Sequence, residues 1–264
     1  MKIKKSDTFL ALESLTDLSE KCSKVLGRSY GYDGHIAWND AFEYLCWYGR
    51  VNIYDLKDRD YCRDNAVIEK LKVMCSDPAA PKMLTLHDED VYEGFNEDLE
   101  AAGFVMVKPQ KGMLYDLNKI RPEEDEQPDS EAEKHIIEVG PEDIDEFNVV
   151  TETAFEAKGK QEASKILNEY KDCHFYAYKD DGKIKATAIL NICTPQNGGV
   201  HEVGTLQEYR NKGYATALMR HIIKESRKFG LDVISLQASV YGEPVYRRLG
   251  FEVVGNIRNY RFGA

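Results

Sequence analysis

The chain has 264 residues, 42% hydrophobic and 31% charged, which is longer than one average domain of roughly 100–200 residues and supplies enough apolar surface for packed cores. That composition excludes wholesale disorder and a disulfide miniprotein, and no run approaches the ~20 apolar residues that cross a bilayer. The formal net charge of −11 sets the chain against phosphate backbones and anionic lipid, so neither nucleic acid nor a membrane surface is an expected partner.

In chain order, residues 9–26 carry a helical pattern. An aromatic stretch follows with Trp38, Phe42, Tyr44, Trp47, Tyr48 and Tyr54, side chains that either line a ligand pocket at a domain junction or fill a core. The first half closes on an apolar run at 82–86, a helical pattern over 91–102 and Gly103-Phe104 leading into a strand-like 105–107. The segment 121–131, RPEEDEQPDSE, has two prolines, like charges and no hydrophobic anchor, the composition of an exposed linker. It divides the chain into 1–120, an acidic linker 121–133, and 134–264. These carry 16 basic and 21 acidic, 1 and 7, and 18 and 18 side chains respectively.

The second half alternates. A strand is expected at 135–139, a helix opened by Gly140-Pro141-Glu142-Asp143, and a further helix over 161–170. Strand runs at 174–178, 184–192 and 200–206 are separated by Asp180-Asp181-Gly182 and by the turn signal at 195–199. From Gly213 the period becomes helical, with Ala215, Leu218, Met219, Ile222, Ser226 and Phe229 on one face and Gly230 at the C-cap position. A short strand (233–236), a short helix (242–249) and a strand-like 251–262, broken near Gly255-Asn256, complete the pattern.

The chemistry concentrates at 203–216, where a strand passes through a short turn into that helix. Such a junction leaves main-chain N–H groups unpaired at the positive end of the helix dipole, where they can hold a phosphate or diphosphate. Gly213 and Ala215 permit close approach of an anion, and Arg210 and Lys212 add positive charge at the mouth. Arg210-x-x-Gly213-x-Ala215 resembles motif A of the GNAT superfamily of N-acyltransferases. Downstream, 236–251, ending in Tyr246-x-x-x-Gly250-Phe251, resembles motif B. The two are correctly ordered and spaced across one crossover.

The resemblance implies acetyl-CoA as co-substrate, its pantetheine arm in a cleft between two splayed strands. The main chain of Val203, Gly204 and Thr205 would face that arm, and amides of Asn211, Lys212, Gly213, Tyr214, Ala215 and Thr216, with Arg210, would hold the diphosphate. Asn211 and Gln207 depart from the commoner glycine and proline. Tyr246 matches the tyrosine that in many relatives protonates the departing thiolate, and Ser239 stands where many relatives have asparagine. Ser239 also suits a helix cap. Glu202 lies near the position of a general base in some relatives, and regular alternation would send it and His201 to opposite faces.

The ending 82–107 echoes 233–254, with Leu99 opposite Tyr246, so the fold class expected is α/β, two GNAT-like domains in tandem, each a mixed, mostly antiparallel sheet flanked by helices. The first copy is degenerate. The expected activity is acetyl transfer to a primary amine, small molecule or peptide, by direct attack, with no metal. Two alternatives stay open: a non-catalytic CoA-binding or protein-interaction module, and aminoacyl transfer from charged tRNA, which the acidity disfavours. Six cysteines without C-x-x-C spacing and an N-terminus that turns polar too soon for a secretory signal point to reduced thiols and the cytoplasm.

Overall fold

A computed structural model of the chain describes residues 7–26, 29–39, 49–54, 56, 66–76, 82–119, 131–156 and 161–263. Phe42, Tyr44, Trp47, Tyr48, Cys46, Cys62 and linker residues 121–130 lie outside the described residues. The first half contributes α1 (Asp7–Val25), β1 (Tyr30–Tyr32), β2 (Ile36–Asn39), β3 (Gly49–Ile53), α2 (Ala66–Cys75), β4 (Lys82–His87), α3 (Phe95–Ala101), β5 (Phe104–Met106) and β6 (Gln110–Asp116). The second contributes β7 (Ile136–Glu138), α4 (Ile144–Phe155), α5 (Gln161–Asn168), β8 (Cys173–Asp180), β9 (Lys183–Ile192), β10 (Asn197–Thr205), α6 (Tyr214–Lys228), β11 (Val233–Ala238), α7 (Glu243–Arg248) and β12 (Glu252–Phe262). No described helix is long and apolar enough to cross a membrane.

The described strands form one sheet in the order β1-β2-β3-β4-β12-β6-β11-β10-β9-β8-β7, with β5 also on β12. Two pairs are parallel, β3–β4 and β10–β11, and each is joined by a crossover helix, α2 or α6, as parallel neighbours require. Both halves end in strand–helix–strand, β4-α3-β5 and β11-α7-β12. In each ending the two strands leave room for one more between them. β6 lies between β11 and β12, and the C-terminal part of β12 lies between β4 and β5. The sheet therefore crosses the linker in both directions.

The break expected near Gly255-Asn256 is a bulge inside one continuous strand: β12 shifts register on β6 between Val253 and Gly255, with Gly255 at φ 157°. An extra residue at a bulge bends a strand without ending it. The helix expected at Pro141 begins at Ile144, after a turn closed by Asp143 N donating to Gly140 O at 3.0 Å, and the Asp143 side chain at its cap accepts from Lys179 Nζ at 2.6 Å.

Apolar side chains cover both faces. One face packs Leu218, Met219 and Ile222 of α6 against Ala188, Leu190 and Val200. On the other, Phe147 and Val150 of α4 meet Phe175 and Ile189, joined by Leu15, Leu18 and Cys22 of α1. The first helix of the chain is thus part of the second half's core. Gln237 Nε2 donates to Ala11 O at 2.6 Å, Asn197 Nδ2 to Leu10 O at 3.2 Å and Lys21 Nζ to Asn191 Oδ1 at 2.7 Å. Of the aromatic stretch, Tyr54 is a core residue that donates to Leu12 O, and Trp38 packs half-buried against the first-half core.

Candidate active site

β10 pairs with β11 only at Asn197↔Val233, Gly198↔Ile234 and Gly199↔Ser235, although the strands continue to Thr205 and Ala238. Beyond Gly199 they part, and among the described residues no strand pairs with Val203, Gly204 or Thr205 on the β11 side. A bulge accompanies the split: pairing with β9 shifts between His201 and Gly204, and Glu202 adopts φ 52°. A left-handed conformation at a residue with a β-carbon costs about 1–3 kcal/mol and persists only where neighbours enforce it.

The enforcing contacts come from two threonines. Thr187 Oγ1 donates to the carbonyl of Glu202 at 3.3 Å, and Thr151 Oγ1 lies 3.1 Å from Thr187 Oγ1 and 2.9 Å from Phe147 O. Both side chains are buried, so a carbonyl freed by the bulge finds its donor inside the protein. Replacing Thr187 with Val should cost about 1–3 kcal/mol through that stranded carbonyl, and Thr187→Ser should recover most of it in denaturant titrations.

The bulge also interrupts the alternation expected of His201 and Glu202, because an extra residue cancels one step of the strand's period. His201 turns toward α1: a β-carbon at Gly199 would stand 2.5 Å from His201 Nε2 and 2.4 Å from Ser14 Cβ. Burial first, then the charges of Arg50 and Lys21, pushes His201 down to about 3. It stays neutral at ordinary pH. Glu202, 7% exposed, is the carboxylate at the split.

At the entrance to α6, Gly213 occupies the N-cap in the left-handed region (φ 87°) and Asn211 is also left-handed (φ 62°). Asparagine tolerates that region better than other residues with a β-carbon, so the departure from glycine at 211 keeps the turn. Among the described residues, the amides of Asn211, Lys212, Gly213, Tyr214, Ala215 and Thr216 have no hydrogen-bond acceptor. The first turn of α6 carries no acidic side chain, and a β-carbon at Gly213 would meet nothing within 4 Å. Open space therefore fronts a row of donors at the positive end of a dipole.

Arg210 braces this turn: Nε donates to Thr205 O at 3.2 Å and Nη2 to Ala154 O at 3.3 Å, linking the ends of β10 and α4. Lys212 lies over the ring of Tyr209, 5.1 Å from its centroid, and Lys185 lies 5.2 Å from the same centroid. Tyr214 stacks on Tyr178 with centroids 4.2 Å apart, which fixes the first turn of α6 to β8.

Tyr246 of α7 is 8% exposed, and burial raises its pKa above that of an ordinary phenol. Its ring lies against Gly242, where a β-carbon would come within 2.9 Å of Tyr246 Cε2. Ser239 Oγ accepts from Gly242 N at 3.2 Å, closing the turn before α7, whose N-cap is Gly242. The site thus draws on β10, the α6 entrance and the β11–α7 connection. Thr151, Thr187, Tyr178 and Lys185 escaped the sequence reading. Thr187, a hydroxyl inside the apolar run 184–192, is the one signal that was present.

The fold has counterparts among known proteins. The profile of the Acetyltransferase (GNAT) family matches residues 144–251. A GCN5-related N-acetyltransferase from Kribbella flavida superposes with TM-score 0.67 at 16% identity, over 96% of each chain. A GNAT-family protein from Novosphingobium aromaticivorans gives 0.60 at 15%, over 96% of this chain and 97% of that one. A GCN5-related N-acetyltransferase from Sphaerobacter thermophilus gives 0.61 at 17%, over 85% and 75%. No protein of curated function matches the sequence. At such identities the structural likenesses establish the fold, and the family profile matches residues 144–251, the span that holds β10, the α6 entrance and α7.

Proposed function

We propose that the chain transfers an acetyl group from acetyl-CoA to a primary amine, using 134–264 as the catalytic unit, 1–120 as a degenerate GNAT-like partner and 121–133 as the linker. One observation carries this reading: the unpartnered amides from Asn211 to Thr216 front open space beside a split in the sheet. The bound co-substrate supplies an activated thioester. The amides, with Arg210 bracing their turn, hold its diphosphate, and the edge at Val203 and Gly204, up to the Thr205 carbonyl that Arg210 already holds, pairs with the amides of its arm as an added strand would. The same edge offers a donor to charge developing at the reacting carbonyl. Glu202 accepts the proton of the incoming amine, and Tyr246 donates its phenolic proton to the departing sulfur. The acceptor is a small-molecule or peptide amine.

Free-thiol detection with acetyl-CoA across a panel of amines tests the activity. Binding of CoA without turnover of any amine would assign the chain to non-catalytic CoA binding. Gly213→Ala tests the cradle. The substitution meets no neighbour, so its stability cost is limited to the left-handed backbone, about 1 kcal/mol. The new methyl group enters the space assigned to the diphosphate, and CoA affinity measured by calorimetry should fall about tenfold or more. Unchanged affinity would remove the diphosphate from this turn.

A further inference from the structure

A cavity of about 220 Å³ opens beside the β11–α7 connection, walled by Gln110 and Lys111 of β6, Ile257 and Arg258 of β12, and Ala238 and Glu243. It therefore draws on both sides of the linker, a common place for ligand sites. The apolar surface it offers comes from Met106, 39% exposed, and Val240, 71% exposed, with Ile257 and Ala238 fully buried beneath them.

Three charged side chains line this space, and two are matched. Glu243 pairs with Arg247 at 2.8 Å, and Arg258 holds Asp88 through two contacts, at 2.5 and 3.0 Å. Lys111 differs. Its ammonium donates to the neutral amide oxygen of Asn256, and among the described residues no carboxylate lies within ion-pair distance of it. The cavity thus combines an apolar wall with one uncompensated cation.

We propose that this cavity binds a small organic monoanion, a carboxylate with a flat or branched apolar body of benzoate size, its carboxylate on Lys111 and its body against Met106 and Val240. A charge-assisted contact gives the orientation and those two side chains give the binding area. Lys111, Met106 and Arg258 belong neither to the amide row nor to the split of β10 from β11, whereas Ala238 ends the β11 edge of that split, so binding is measured without CoA.

Calorimetric titration of the full chain, without CoA, compares sodium benzoate with its neutral analogue benzamide. Wild type should bind benzoate about tenfold more tightly than benzamide. Lys111→Met, which keeps the aliphatic stem, should bring the two to within about twofold. Val240→Glu places a negative charge at an exposed position of the wall and should weaken benzoate more than benzamide, so it carries the test should the Met variant fail to fold. Absence of benzoate binding, equal binding of benzoate and benzamide by wild type, or benzoate affinity unchanged in both variants overturns the proposal.

Discussion

Replacing Tyr246 with Phe should lower kcat for thiol release by about 10²–10⁴-fold, the usual contribution of a positioned general acid, while the affinity for CoA stays within about twofold. The ring is buried against Gly242 and Phe251, and phenylalanine keeps that packing, so stability should move by no more than about 1 kcal/mol. The separation of effects is the test. Turnover unchanged by the loss of one oxygen would reject the acid role outright, and a parallel collapse of CoA binding and melting temperature would instead mark Tyr246 as a packing residue. The direction of its pKa bears on the pH profile. Burial favours the uncharged phenol over the phenolate, so its pKa lies above the ordinary 10.0 and the hydroxyl keeps its proton through the neutral and mildly alkaline range. Wild-type kcat should therefore show no alkaline decline from this group below about pH 10, a measurement made by following thiol release from pH 6 to 10.

Among the described glycines, Gly255→Ala should be the most destabilising alanine substitution. At φ 157° the backbone occupies a region that residues with a β-carbon avoid, and the added carbon would stand 1.8 Å from Cε1 and 2.3 Å from Nε2 of His87. His87 ends β4, which pairs with β12 from His87↔Ile257 to Leu84↔Tyr260. The ring is fully buried and has Gly112 of β6 on another side, 3.6 Å from Nε2 to the position of an added carbon. It has nowhere to retreat. Overpacking and backbone strain together should cost roughly 3 kcal/mol or more, seen as a loss of denaturant midpoint. His87→Ala should relieve the clash but not the backbone strain, so the double variant should be more stable than the sum of its singles predicts. Additive losses would show that the two residues do not share this contact, and a loss under about 0.5 kcal/mol in Gly255→Ala would reject the close approach.

The legibility of the site followed its range along the chain. Gly213, Ala215 and the apolar face from Leu218 to Ser226 mark the α6 entrance within about one helical turn of each other, and the local rules that make a helix N-terminus a donor cluster apply without knowing the rest of the fold. Ser239 closing the turn before α7 and Gly230 as a terminator are equally local. Alternation at His201 and Glu202 assumes a regular strand. The bulge that breaks it is held by Thr187 and Thr151, 15 and 36 residues from Glu202 and Thr187 respectively, and hydroxyl groups in an apolar run do not announce which carbonyl they serve.

By itself the sequence determined the helices and strands with clear periodicity, the turn that presents free amides, and the two strand–helix–strand endings, since each depends on residues within a few positions of one another. Only the tertiary structure decided how those endings are completed. The run 110–116, the last described strand before the linker, fills the gap between β11 and β12, and the end of β12 fills the gap between β4 and β5. Strand pairing of this kind satisfies backbone groups that every residue carries alike. Its partners are chosen by the shape of the whole sheet and by close approaches such as Gly255 on His87, information that no single segment contains.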